Sequence, residues 1–80
     1  MYHYVYILQS INHPDKHYTG YTTDLETRLK KHNEGGCKYS ATYKPWKIQT
    51  AISFCNKETA LKFEKYLKSH SGRAFCKKHF

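Results

Sequence analysis

The chain has 80 residues and a formal net charge of +8, from 14 Lys and Arg against 6 Asp and Glu. That length suits one domain over residues 1–80, burying only about 60 % of the surface its unfolded chain exposes. No apolar run approaches membrane-spanning length and the N-terminal layout is not that of a signal peptide, so the expected location is cytoplasmic, with no membrane partner.

Tyr4, Tyr6 and Leu8 alternate with Val5 and Ile7, which predicts a first strand with two apolar faces. Asn12, His13, Pro14 and Asp15 are turn formers, so residues 16–21 should return as an antiparallel partner. Gly20 falls near the end of that strand, where a missing side chain admits close approach of another group. A helix is predicted over residues 22–36, with Thr23 and Glu26 as a capping box and Gly35 and Gly36 as the stop. Lys30, Lys31 and His32 suit its negative end. Leu25 and Leu29 set the buried stripe, and Arg28 and His32, four apart, share a ridge at its rim.

Residues 34–46 show no clear periodicity, and connectors of this length tend to be functional or mobile. Lys38, Tyr39, Tyr43, Lys44 and Trp46 give the stretch the mix of a nucleic-acid contact surface. It reads equally as a solvated loop pinned to the core by Trp46. A third strand follows over residues 47–55, with Ile48, Thr50, Ile52 and Phe54 on one face. Asn56 caps the next helix, whose inward stripe is Ala60, Phe63 and Leu67, with Leu61 on its flank. Glu64 falls inside that apolar arc, where a carboxylate needs a cation, a hydrogen-bonding partner or a metal. Lys57 and Lys68 are within its reach as ordinary ion-pair partners. A short final helix over residues 72–79 would carry Arg73, Lys77 and Lys78, with Phe75 and Phe80 closing the core.

The basic balance fits a polyanionic partner. Eight Tyr, four Phe and one Trp interleave with the cations, and such rings stack on bases while cations hold phosphates. In a small domain more than half of these rings simply fill the core. Cys37, Cys55 and Cys76 form no C-x-x-C pair, which points to free thiols and away from a disulfide framework or a zinc site.

The ordered set Tyr4-Val5-Tyr6, Tyr18-Thr19-Gly20, Arg28, His32 and Glu64 resembles the GIY-YIG nuclease family, in particular its small stand-alone bacterial members. The resemblance covers nearly the whole chain, including the ending Ser71-Gly72-Arg73-Ala74-Phe75. It implies an α/β fold, a three-stranded antiparallel sheet flanked by helices, with Tyr6, Tyr18, Arg28, His32 and Glu64 converging on one face. The implied activity is metal-dependent hydrolysis of DNA phosphodiester bonds, in DNA repair or processing. Glu64 would bind one Mg²⁺ or Mn²⁺, Arg28 would clamp phosphate, and Tyr6 or Tyr18 would act as base. Lys38, Tyr39, Tyr43, Lys44 and Arg73 would contact the nucleic acid. The alternative is a non-catalytic nucleic-acid-binding module with the same fold. Tyr4 stands where the family has glycine and Thr19 where it has isoleucine, and the late asparagine of some members has no counterpart.

Overall fold

A computed structural model of the chain describes residues 2–35 and 38–69, apart from the side chains of Lys38 and Tyr39. Strands β1 (His3–Ser10), β2 (His17–Thr22) and β3 (Trp46–Phe54) form one antiparallel sheet in the order β2-β1-β3. The helices are α1 (Leu25–Asn33), α2 (Lys38–Tyr43) and α3 (Lys57–Lys68). This is the expected α/β architecture of a three-stranded antiparallel sheet with helices.

β1 takes the centre because both of its faces are apolar. Val5, Tyr6, Ile7 and Leu8 are buried in succession. Val5 and Ile7 meet Ala60, Phe63 and Leu67 of α3, together with Tyr21 and Phe54. Tyr6 and Leu8 meet Trp46, Leu25 and Leu29 on the opposite side, with Tyr18 and Tyr43 at the fringe. Full burial of one such aliphatic side chain contributes about 1.5–3 kcal/mol. One strand therefore anchors α1 and α3 on opposite faces of the sheet.

The start of α1 differs from expectation. Asp24 is the cap, accepting from the Thr27 N–H at 3.2 Å and from the Thr27 hydroxyl at 2.8 Å. Thr22 ends β2 and turns inward, its hydroxyl accepting from the Asp24 N–H at 3.1 Å and donating to the Asp24 carbonyl at 3.2 Å. With Thr22 committed to the strand, the helix begins one residue later than a Thr23 cap requires. Gly35 ends it with φ +80°, the left-handed conformation that glycine adopts without a side-chain clash.

The stretch expected as a structureless connector contains α2. Six residues are too few for a helix to persist on propensity alone, so tertiary bonds hold it. Ser40 is fully buried, and the Trp46 indole donates to its carbonyl at 3.0 Å. Asn33 clamps the Trp46 backbone from both sides, accepting from its N–H and donating to its carbonyl. Trp46 is thus a core residue and not part of a contact surface.

β3 carries a bulge that the alternation concealed. Ile7 pairs with Thr50 but Leu8 pairs with Ile48, leaving Gln49 as the extra residue. Ile48 consequently joins the Tyr6–Leu8 face, where it is 38 % exposed, and does not share a face with Thr50, Ile52 and Phe54. The predicted α3 is as drawn, capped by Asn56 through the Thr59 N–H. The final helix expected over residues 72–79 lies outside the described residues. Among the described residues Cys55 is a free, exposed thiol, and no helix is long and apolar enough to cross a membrane.

Candidate active site

The β1–β2 register places Tyr6 opposite Gly20 and Leu8 opposite Tyr18, so both tyrosines lie on the α1 side of the sheet as diagonal neighbours. Their ring centroids are 6.4 Å apart. Gly20 makes this possible. A Cβ there would stand 2.6 Å from Cζ of Tyr6 and closer still to its hydroxyl, so the phenol occupies the space a side chain would need.

His32 completes the cluster from the last turn of α1. Its ring is 4.6 Å from that of Tyr18, and its Nε2 lies 3.1 Å from the Tyr6 hydroxyl. On the other side Nδ1 is hydrogen-bonded to Ser40 Oγ. A neutral imidazole has one donor and one acceptor nitrogen, so one hydroxyl donates to the ring and the other accepts from it. Burial, and then the positive charge of Arg28, lower the His32 pKa from the ordinary 6.5, which keeps the ring neutral at pH 7. The sequence placed His32 at the rim of α1, but it is 5 % exposed. Arg28, one turn earlier, is exposed.

Glu64 is half-buried on α3, the helix that packs on the Val5–Ile7 face of β1 through Ala60, Phe63 and Leu67. Its Oε2 pairs with Lys68 Nζ at 3.1 Å, the ion pair that the sequence offered as the alternative to a metal. Lys68 Nζ in turn lies 5.9 Å from the centre of the Tyr18 ring. The carboxylate is therefore joined to the tyrosine–histidine cluster through one lysine. Among the described residues no three His, Cys, Asp or Glu side chains gather as a metal cage. One carboxylate fits a hard divalent cation that keeps several waters and takes phosphate as a further ligand.

The expected nucleic-acid contacts divide. Tyr43 is half-buried against Tyr6, Leu8 and Trp46, with Lys16 Nζ 5.6 Å from its ring centre and His13 edge-on at 5.4 Å. Lys44 is exposed. The side chains of Lys38 and Tyr39, and all of Arg73, lie outside the description. Ser40 is the residue of this cluster hardest to see in the sequence, because its segment shows no helical period. The one available signal was Pro45, since proline commonly follows a helix end by one or two residues.

Comparison with known proteins agrees with this fold. Residues 2–78 match the model of the GIY-YIG catalytic domain. UPF0213 protein BH0048 of Halalkalibacterium halodurans is 42 % identical over 74 residues, covering 91 % of this chain and 77 % of that protein. UPF0213 protein YsiG of Lactococcus lactis subsp. lactis is 46 % identical over 68 residues, covering 82 % of this chain and 62 % of that protein. The chain thus spans about three quarters of the first relative and less than two thirds of the second. The solution NMR structure of the UPF0213 protein BH0048 from Bacillus halodurans is similar with a TM-score of 0.57 at 37 % identity, over 98 % of this chain and 84 % of that one.

Proposed function

The chain belongs to the GIY-YIG catalytic domain family, and from that premise we propose that it is a divalent-metal-dependent endonuclease hydrolysing phosphodiester bonds of DNA. The observation that carries this reading is the hydrogen bond between Tyr6 and the buried, neutral His32. A phenol has an ordinary pKa of about 10, so it takes a proton from water at neutral pH only if its own proton has somewhere to go. With Nδ1–H donating to Ser40, His32 Nε2 is free to accept from the Tyr6 hydroxyl. The water oxygen then forms the new bond to phosphorus as one ester P–O bond breaks. Its proton passes to Tyr6 while the Tyr6 proton passes to His32, and the leaving alkoxide takes a proton from solvent.

Arg28 supplies the phosphate clamp, because its planar fork matches two oxygens and keeps its charge. Phosphate bound there also cancels the charge that helps lower the His32 pKa, so substrate makes His32 a better proton acceptor. Tyr18 orients the water or the phosphate from the face of the Tyr6–His32 pair. Glu64 would hold the metal, which supplies polarisation of the phosphoryl oxygen and stabilisation of the leaving alkoxide. Lys44 and the Lys16–Tyr43 pair extend the contact to flanking DNA, together with Lys38, Tyr39 and Arg73.

A second reading, a nucleic-acid-binding module without turnover, draws on one observation. The Glu64 carboxylate is already engaged by Lys68. End-labelled single-stranded, duplex and branched DNA, incubated with Mg²⁺, Mn²⁺ or EDTA, separates the two. Cleavage of at least one substrate that requires the cation is expected. Binding to all of them with no cleavage under any condition would leave the second reading in place.

A further inference from the structure

Three Glu–Lys pairs at helical i,i+4 spacing occur among the described residues. Lys30–Glu34 at 4.0 Å and Lys62–Glu58 at 3.5 Å are largely exposed, and such pairs contribute little. Lys68–Glu64 is different. It is the shortest at 3.1 Å, its carboxylate side chain is only 21 % exposed, and its ammonium also faces the Tyr18 ring. Resting on the endonuclease reading above, we propose that Lys68 is the intrinsic counter-ion of Glu64 which a divalent cation must displace, and that the displaced ammonium becomes a contact for the substrate phosphate.

The topology places Lys68 where both jobs meet. α3 covers the Val5–Ile7 face, whereas Tyr18 packs with Tyr6 and Leu8 on the other. β2 is an edge strand of the sheet. The Lys68 side chain therefore reaches round the β2 edge from one face towards the ring on the other, spanning the carboxylate and the phenol cluster. With an ammonium at 3.1 Å, Glu64 presents little net charge to an approaching cation. A cation that does bind the carboxylate repels the ammonium. Lysine is a compact charge with three donors on a flexible stem, so it can leave one anion for another. The aromatic face of Tyr18 offers it an intermediate position, since cations are attracted to the ring quadrupole. The nearest anion in the proposed complex is the phosphate clamped beside Tyr18 and His32.

The test uses Lys68→Met, which keeps the aliphatic stem, Lys68→Arg, which keeps the charge, and Glu64→Gln. Mn²⁺ is titrated into each protein at low salt without DNA, and binding is read from paramagnetic broadening of α3 amide resonances. Lys68→Met should bind Mn²⁺ about two- to five-fold more tightly, the range a partly exposed ion pair is worth. Lys68→Arg should match the wild type, and Glu64→Gln should lose binding. DNA affinity of Lys68→Met, measured by fluorescence anisotropy, should fall more in Ca²⁺ than in EDTA, because Glu64 retains the ammonium until a cation frees it. If Lys68→Met binds Mn²⁺ no better while Glu64→Gln has lost it, Lys68 is not a competitor and the metal reading stands alone. An equal loss of DNA affinity in Ca²⁺ and EDTA overturns the transfer to phosphate. Should Glu64→Gln bind Mn²⁺ like the wild type, the metal reading fails and this proposal with it. Circular dichroism checks the fold, and Lys68→Gln replaces the methionine variant if that protein is unfolded.

Discussion

Tyr6 is 2 % exposed and its hydroxyl bonds to His32, whereas Tyr18 is half-buried, its ring stacked on that of Tyr6 and tilted against that of His32. Removing each hydroxyl should therefore have different consequences. Tyr6→Phe leaves a buried His32 nitrogen without its partner, a loss of about 1–3 kcal/mol, while Tyr18→Phe costs less. Cleavage should fall in both, and by about 10²–10⁴-fold for the base. Thermal unfolding beside single-turnover cleavage reads the two effects. A steeper kinetic loss for Tyr18→Phe would move the base to the more open phenol. The neutral His32 makes a further prediction. Its folded pKa lies below the ordinary 6.5, so between those two values the unfolded chain binds a proton that the fold excludes. Stability from this source is complete above pH 6.5 and is lost as pH falls through that window. The melting temperature of the wild type should decline more steeply than that of His32→Asn as pH is lowered there. Parallel curves would mean that His32 titrates normally.

At the scale of elements, Gly20 shows how a strand can hold a site. Gly20→Ala would place a methyl against the Tyr6 hydroxyl and 2.6 Å from Cζ. The ring is enclosed and cannot give way cheaply, so overpacking of about 1–3 kcal/mol is expected. The Tyr6–His32 bond should be displaced with it, and cleavage should fall with little change in DNA affinity. Normal cleavage in Gly20→Ala would show that this bond is dispensable. β1, β2, α1, β3 and α3 were legible because their apolar periods are strong and their ends carry turn or cap residues. What was not legible depends on contacts between elements. Thr22, Thr23 and Asp24 all have capping chemistry, and the pairing of β2 decides among them. α2 has no apolar stripe and is held by Ser40 and Trp46. The unpaired Gln49 leaves no trace in composition. The same division runs through the candidate site. The rings of Tyr6, Tyr18 and His32 follow from strand register and helix phase, whereas Ser40 required a helix that the sequence did not announce. Glu64 illustrates a false choice, since an ion pair with Lys68 in the free protein does not preclude metal binding in the complex.

For the whole molecule, affinity and turnover should be separable. The chain carries a formal net charge of +8, which favours a polyanion such as DNA. If about four to six phosphates are neutralised, log K should fall against log salt with a slope of roughly −3 to −5. Anisotropy titrations in EDTA between about 50 and 200 mM KCl measure this without cleavage. A nearly flat slope would remove the basic-surface argument. Arg28 distinguishes charge from geometry within the same experiment. It is exposed, and its charge is sensed at His32. Arg28→Ala should reduce the magnitude of the slope by about one, the share of a single phosphate contact. Arg28→Lys keeps the charge and should keep the slope, yet cleavage should fall steeply because an ammonium cannot hold two phosphate oxygens in one plane. The lysine variant also retains the charge near His32, so its lost activity could not be assigned to a relaxed His32 pKa. Near-normal cleavage by Arg28→Lys would make Arg28 one more surface cation and leave the phosphate clamp to be sought elsewhere on the basic surface.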